Sequence, residues 1–314
     1  MLPKPSLLQH VIYRVFRLRR LIATSVLIVM AGAALSLGVS PQISFFADPA
    51  NLLVLMICWS AIITGSAIAF PAGWIDALTA SIAFALLLVA TPYFQIALMA
   101  APWTGGGISE RLAVLLVFLA WFMLWLLVMA VFIWAGQSLP FGKRRHYTRL
   151  TSDLPPDDVR RALCPLPDTT VGGRVCGPEG ADGFFKVSYT VADPGQHSFE
   201  IVKKVQSYRF RVLQEDRHTR QSEAILTVDG RKTRSEMFER LEPSGKGTVY
   251  HLVELHDHFN LLTAIGFWIN DFGADHARAY LDAATGRATT AIFSRPGWSP
   301  ITAVARALSR AGQS

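Results

Sequence analysis

The sequence predicts two structural classes in one chain: four transmembrane helices, then an α+β domain with a curved antiparallel sheet around a long C-terminal helix. Three observations lead to this prediction. Only 17% of the 314 residues are charged, against roughly 25% in ordinary soluble proteins. Residues 1–136 hold six Lys/Arg and three Asp/Glu, whereas residues 137–314 hold twenty-four and twenty. In the second part, alternation with a period of two residues is followed by one long amphipathic segment.

The uneven distribution of charge excludes a single soluble domain, a disordered chain and a fibrous repeat. The net charge of +7 is spread over both parts rather than gathered on one, so we expect no nucleic-acid partner. The three cysteines, Cys58, Cys164 and Cys176, include no CxxC pair, and no disulfide framework is expected. No Gly-rich nucleotide loop occurs in the sequence, and we expect no cofactor.

Four apolar segments are each long enough to cross a hydrocarbon layer of ~30 Å at ~1.5 Å per residue. They are Leu21–Val39, Asn51–Phe70, Ala77–Ala100 and Leu112–Ala135. None contains an acidic or basic side chain, which favours an anchor or a packing bundle over a pump. The predicted domains are therefore a basic N-terminus (1–20), a transmembrane region (21–136), a basic linker (137–145), a cytoplasmic domain (146–290) and a tail (291–314).

Lys and Arg residues precede the first span and follow the last, so both termini are expected in the cytoplasm of a multi-pass inner-membrane protein. The first span also resembles a signal peptide that ends near Ala33–Ser36, and its removal is left open. Small residues four apart, Ala61-Gly65-Ala69 and Ala77-Ser81-Ala85, predict close packing of the second and third spans, within one chain or in a homo-oligomer. Leu7–Arg20 is amphipathic, and either lies on an anionic leaflet or continues into the first span.

Alternating residues in the polar part predict an antiparallel sheet. The predicted strands are His146–Asp153 and segments around Phe185–Val191, Tyr208–Val212, Ala224–Val228, Lys232–Leu241 and Thr248–His258, with a turn at Asp229-Gly230. A short helix is expected over Leu154–Leu163, since proline and acids suit a first helical turn. Asn260 as N-cap and Gly286 as stop predict one closing helix of about 25 residues with a wide apolar stripe.

This order resembles the helix-grip fold of the START-like/polyketide-cyclase (SRPBCC) superfamily: a strand, a short helical pair, antiparallel strands and a closing helix. The residues that carry the resemblance are His146–Leu163, Gly245–Tyr250 and Leu261–Gly286, so it covers about residues 146–286. It implies an apolar cavity between sheet and helix, in which many members bind lipids, steroids or other hydrophobic molecules. It implies no catalytic residue, because the superfamily shares no catalytic motif.

Candidate residues for lining such a cavity come from the closing helix and from alternating strand positions. They are Trp268, Phe272, His276, Tyr280, Val253, Leu255, Phe210 and Tyr189. His276 is expected to be either a satisfied core histidine or a cavity acid/base. On the last strand, the alternation predicts that Val253 and Leu255 face inward together with Val249 and His251.

Glu254, His256 and His258 share one side of the last predicted strand, and His and Glu suit zinc. The same alternation places these three side chains on the outer face, so we expect them to be solvated and to bind no metal. Cys164 is expected to be a small buried residue rather than a reactive thiol.

Together these patterns predict a membrane-anchored protein that binds a hydrophobic small molecule or lipid. A cavity tethered beside a bilayer meets such ligands at a high local concentration. Two alternatives remain open at this point. One is a cyclase- or hydrolase-type enzyme that uses His276 or the pair His256 and His258. The other is a sensory or scaffold membrane protein.

Overall fold

A computed structural model describes residues 5–39, 45–100, 110–193, 202–228, 231–245, 247–257 and 259–292. The chain divides into two units. The helical unit holds most of four long helices, between Leu18 and Ala135. The sheet unit holds the described elements that follow Gly136 and also a first short helix, α1 (Leu7–Arg17).

The four long helices are α2 (Arg19–Val39), α3 (Pro49–Ala69), α4 (Trp74–Ala100) and α5 (Glu110–Ser138), with a 3₁₀ turn at Phe45–Ala47 before α3. All four are long and apolar enough to cross a membrane, so the prediction of four apolar helices is confirmed. Asp48 caps α3, because its carboxylate accepts a hydrogen bond from the Ala50 amide at 2.9 Å.

Small residues pack in the helical unit, although not as predicted. A Cβ added to Gly32 of α2 would lie 2.7 Å from Ala85 Cα of α4, so these two backbones approach each other closely. Gly65 of α3 has no atom of the described chain near its Cβ position, so this face does not approach α4 within one chain. Its packing in a homo-oligomer stays a prediction. Trp59 makes the contact with α4 instead, donating to Ser81 Oγ at 3.2 Å.

The described residues form a sheet of eight strands, antiparallel throughout. They are β1 (Arg144–Ser152), β2 (Thr170–Val171), β3 (Arg174–Cys176), β4 (Phe185–Asp193), β5 (Val202–Glu215), β6 (Thr219–Val228), β7 (Arg231–Ser244) and β8 (Gly247–His256), in the spatial order β1-β8-β7-β6-β5-β4-β3-β2. The first strand thus pairs with the last. The six longer strands confirm the predicted ones, whereas the turn at Asp229-Gly230 lies outside the described residues.

Between β1 and β2 the chain forms one helix, α6 (Pro156–Leu163), and not the helical pair that the resemblance implied. The β2–β3 hairpin escaped prediction because its strands are too short to show alternation. Gly172 and Gly173 form its turn at φ angles of +59° and +83°, in the left-handed region that glycine adopts without steric cost.

The closing segment consists of two helices, α7 (Leu261–Ile269) and α8 (Phe272–Ala284). The prediction of a single helix was wrong, because Asp271 adopts the left-handed conformation (φ 50°, ψ 45°) and interrupts it. The predicted ends are confirmed: Asn260 Oδ1 accepts from the Thr263 amide at 2.8 Å, and Gly286 follows α8 at a φ of +66°. Aspartate tolerates this conformation better than most residues. The apolar period continues past Asp271, so the sequence pattern does not show the interruption.

Two clusters of buried apolar side chains hold the sheet unit together. One joins α6 and α8 to β1, β7 and β8 and includes Val159, Tyr250 and Leu281. The other lies on β3 to β6 and includes Val187 and Phe210. The curved antiparallel sheet with helices against one face is the predicted α+β arrangement. It leaves a cavity beside α8.

Candidate functional site

A cavity of about 190 Å³ lies between the sheet and the closing helices. Most of its wall is apolar or aromatic: Leu163, Pro165, Tyr189, Tyr208, Phe210, Ala224, Leu226, Met237, Tyr250, Leu252, Phe267, Phe272, Gly273, Ala277 and Tyr280. The polar lining residues are Arg174, Ser235, Glu239, Glu254, His256 and His276. This volume is below the roughly 300–1,000 Å³ of sites for drug-sized ligands, so it suits a small molecule or one end of a longer one.

Glu254 projects into the cavity from β8, beside the helix break. Its Oε1 lies 3.9 Å from His256 Nε2, and its buried Oε2 has no hydrogen-bond partner among the described residues. Burial, reinforced by the negative charge of Glu239, raises the pKa of Glu254 to about 7. Near neutral pH this carboxyl group therefore exists in both protonation states, as donor and as acceptor.

His256 follows Glu254 on the same face of β8. Its Nδ1 is hydrogen-bonded to Ser235 Oγ at 2.7 Å, and its ring stacks on Phe259 at a centroid distance of 4.3 Å. Burial, helped by the nearby His146, lowers the pKa of His256 to about 4. The imidazole is therefore neutral at pH 7. Its Nε2 atom is buried and has no hydrogen-bond partner in the described parts of the chain.

Arg174 brings a buried positive charge to the cavity wall. Its guanidinium donates to the Leu163 and Cys164 carbonyl oxygens at 2.8 and 3.1 Å, which satisfies the C-terminal end of α6. The same group lies 5.3 Å from the centroid of the Tyr280 ring. Burial and, to a lesser extent, the positive charge of Arg174 lower the pKa of His276 to about 4. His276 is therefore neutral at pH 7.

Glu239 forms the other buried acid of the wall. It accepts hydrogen bonds from Tyr250 Oη at 2.7 Å and from Cys164 Sγ at 3.4 Å, and Arg220 Nε lies 3.9 Å away. Burial raises the pKa of the Cys164 thiol, which is therefore protonated and unreactive, as expected.

The predicted orientation of β8 was wrong. Glu254 and His256 face the cavity, whereas Val253 and Leu255 alternate to the opposite face and line no part of it. The physical reason lies in the register, since Val253 has Tyr147 of β1 and Phe238 of β7 as its cross-strand neighbours. The outer face thus carries its own apolar contacts, and alternation alone cannot tell which face is inside.

Trp268 also lies outside the cavity and is 49% exposed. Its neighbour Phe267 takes the inner position, with its ring centroid 4.6 Å from that of Phe272. A continuous helix would keep Trp268 and Phe272 on one face, but the interruption at Asp271 reorients α7 relative to α8.

The other five candidates line the cavity: Phe272, His276 and Tyr280 from α8, Phe210 from β5 and Tyr189 from β4. The imidazole of His276 lies between its two aromatic neighbours on α8, at ring-centroid distances of 5.5 and 4.6 Å. Their location shows that they share one space. Their contact with a ligand remains a prediction.

Four polar residues of the wall were missed as candidates: Arg174, Ser235, Glu239 and, as an inward-facing group, Glu254. The signal available in the sequence was weak. Ser235 and Glu239 share the inner face of β7 with apolar Met237, and polar residues at such positions are normally read as solvated. Among the described residues, no group of three His, Cys, Asp or Glu is arranged to hold a metal ion. His258 lies outside them.

The chain matches no family model, and no curated protein sequence matches it. Among solved structures it is similar to Ara h 8.0201 (14% identity, TM-score 0.31), over 46% of this chain and 100% of that one. It is also similar to protein CV1439 from Chromobacterium violaceum (15% identity, TM-score 0.30), over 46% of this chain and 97% of that one. A third similar structure is the di-domain ARO/CYC StfQ from the steffimycin biosynthetic pathway (10% identity, TM-score 0.32), over 60% of this chain and 61% of that one. Values this low carry no argument about ligand or activity, and the fold assignment rests on the strand order and the closing helices.

Proposed function

We propose that this chain is a membrane-anchored protein whose sheet unit binds a hydrophobic small molecule or lipid. The observation that supports the proposal is the cavity, whose aromatic and aliphatic walls converge on the buried polar atoms Glu254 Oε2 and His256 Nε2. A buried polar atom without a partner costs about 1–3 kcal/mol. A ligand that hydrogen-bonds to these atoms recovers that free energy when it binds.

The chemistry of the polar end narrows the class of ligand. Since the pKa of Glu254 is about 7, a hydroxyl group suits it in both states, accepting from the acid and donating to the carboxylate. His256 is neutral and contributes no charge that would attract an anion, and the guanidinium of Arg174 is already hydrogen-bonded to carbonyl oxygens at the end of α6. The proposed ligand is therefore an apolar molecule with one hydroxyl or similar neutral group, and its apolar part lies against residues such as Phe210 and Tyr208.

The helical unit supports the membrane anchor. Helices α2 to α5 have the length and composition of membrane spans, and basic residues precede α2 and follow α5. We propose that they cross the inner membrane with both termini in the cytoplasm, where the sheet unit meets membrane-soluble ligands at a high local concentration.

The test is solvent extraction and mass spectrometry of the full chain purified in detergent. Leu226→Trp fills the cavity from β6, and Leu213→Trp on the exposed side of β5 is the matched control. We expect an apolar ligand with the wild type and with the control, but not with Leu226→Trp, at unchanged unfolding temperature. If the wild type yields no apolar ligand, and none binds when a series of hydroxylated apolar compounds is added, the proposal is wrong.

A second candidate function, a cyclase- or hydrolase-type enzyme, is favoured by one observation. The His256 ring is hydrogen-bonded to Ser235 Oγ on one side and lies near Glu254 on the other. A neutral imidazole in this position can accept a proton from a substrate. Ser235→Ala and His256→Gln would then abolish turnover of the ligand found by extraction while binding persists. Unchanged turnover in both variants and in His276→Ala would exclude this function.

A further inference from the structure

We infer that α1 lies in the headgroup layer of an anionic lipid bilayer, with an apolar stripe toward the lipid and its polar face attached to the sheet unit. This inference concerns an interaction surface, and it holds whether or not the cavity binds a ligand. The outward stripe consists of Leu8, Ile12 and Phe16, which are four residues apart and so share one side of the helix.

The orientation of α1 is the reverse of that expected for a helix on a water-soluble domain. Such a helix buries its apolar side and exposes its polar side. In α1 the outward stripe is 66%, 59% and 55% exposed at its three positions, while the opposite side, with Tyr13 and Arg17, faces the sheet unit. The apolar side of α1 is thus the exposed one, so we expect a partner less polar than water to cover it.

Side-chain contacts between described residues attach the polar side of α1 to the sheet unit. Tyr13 Oη donates to Asp275 Oδ1 at 2.8 Å, and Arg17 Nη1 donates to Asp271 Oδ2 at 2.7 Å. Both side chains of the Arg17–Asp271 ion pair are nearly buried, at 7% and 14% exposure. Charge-assisted hydrogen bonds of this kind are short and strongly directional. They fix the rotation of α1, and with it the direction of the outward stripe.

Composition and chain continuity favour a bilayer over a protein as the occupant. Leu18 alone separates α1 from α2, which has the length and apolarity of a membrane span. Arg14, Arg19 and Arg20 lie in the same short stretch and attract anionic headgroups. A helix with Leu, Ile and Phe on one side and arginines beside it is typical of helices that lie in the membrane interface.

Attachment at Asp271 and Asp275 joins α1 to a particular part of the sheet unit. Asp271 is the residue that interrupts the closing helices, and Asp275 lies on α8 next to His276. The same helix lines the cavity with Phe272 and Tyr280. The inferred membrane contact therefore acts on the cavity wall through two side chains rather than through a flexible linker.

The test uses the full chain in vesicles of phosphatidylcholine and phosphatidylglycerol. In a Cys58→Ser background, which removes the exposed native thiol, Ile12→Cys carries an environment-sensitive fluorophore. The matched control is Thr151→Cys, which is exposed on β1. We expect blue-shifted emission at position 12 that is quenched by lipids with a doxyl group near the headgroup, and neither effect at position 151.

Each other outcome overturns the inference. Emission at position 12 equal to that at position 151 would mean that the stripe faces water. A blue shift without quenching by doxyl lipids would mean that a protein surface covers it. Ile12 is exposed, so its substitution does not disturb the core. Tyr13→Phe adds an independent measurement, with faster hydrogen exchange at the start of α8 expected if the polar side is attached there.

Discussion

The helical unit and the sheet unit differ in the side chains that they expose. In α2 and α4 the fully buried positions include Ser25, Thr79 and Ser81, while large residues such as Leu27 point outward. In the sheet unit Phe210 and Val187 are buried, and the arginines of β5 point outward. Large apolar side chains are buried in both units, but most of the exposed ones among the described residues lie in the helical unit. The difference is the one expected if the helical unit faces lipid and the sheet unit faces water.

The largest expected effect tests the sheet unit as a water-soluble fold. Phe210→Ala removes a fully buried ring beside Phe185 and should lower the free energy of unfolding by about 3–5 kcal/mol. Leu213→Ala, exposed on the same strand, is the control, with less than about 0.5 kcal/mol expected. Chemical denaturation of the full chain in detergent, followed by hydrogen exchange of β4 and β5, measures both. Equal losses would contradict an interior driven by burial from water.

The next prediction compares two exposed leucines, one in each unit. Leu127 at the middle of α5 is 61% exposed and Leu213 on β5 is 43% exposed. If α5 faces lipid, Leu127→Lys costs about 2.5–3.5 kcal/mol of insertion free energy, since a bilayer solvates a charge poorly. Leu213→Lys in contact with water changes stability by less than about 0.5 kcal/mol. A membrane-insertion assay and the level of folded protein measure the pair. If both lysine substitutions were equally well tolerated, the surfaces of α5 and β5 would not differ in their surroundings.

A third prediction concerns the acid inside the sheet unit. The pKa of Glu254 is raised from its usual 4.5 to about 7 by burial, so the folded protein keeps a proton that the unfolded chain loses. Its contribution to stability is complete below pH 4.5 and is lost as the pH rises toward 7, by on the order of 3 kcal/mol. His256 and His276, with pKa values lowered to about 4, act in the opposite direction between pH 4 and 6.5.

The measurement is therefore the difference between wild type and Glu254→Gln, in which the two histidine contributions cancel. The wild type should lose stability relative to this variant as the pH rises from 4.5 to 7. Glu179→Gln, at an exposed loop position, is the control and should give a profile parallel to the wild type. A constant difference across this range would show that Glu254 is not held in the protonated form by burial.

The smallest expected effect separates two glycines of the helical unit. Gly32→Ala places a methyl group 2.7 Å from the Ala85 backbone and should destabilise the α2–α4 contact by about 1–3 kcal/mol. At Gly65 an added methyl group meets no atom of the described chain, so Gly65→Ala should stabilise α3 by about 0.5–1 kcal/mol, since alanine favours a helix. Unfolding of the reconstituted protein in a denaturing detergent gives both signs. The same sign for both variants would contradict the described packing.

Particular residues show where prediction from sequence succeeded and where it failed. The four apolar helices were recognisable because about twenty apolar residues without charge have few other stable arrangements. The caps at Asn260 and Gly286 were recognisable because they depend on local hydrogen bonds and on one backbone angle. The orientation of β8 and the interruption at Asp271 were not, because each depends on which distant residues pack against the segment.

The sequence by itself determined the number of apolar helices and the antiparallel sheet with helical structure at its C-terminal end. These follow from hydrophobic period and charge, which act between neighbours along the chain. Tertiary structure alone decided that Glu254 and His256 face the cavity, that Phe267 replaces Trp268, and that α1 turns its apolar stripe outward. Each of these depends on contacts between segments far apart in sequence, such as the pairing of β1 with β8. A local sequence pattern does not show which distant segments will be in contact.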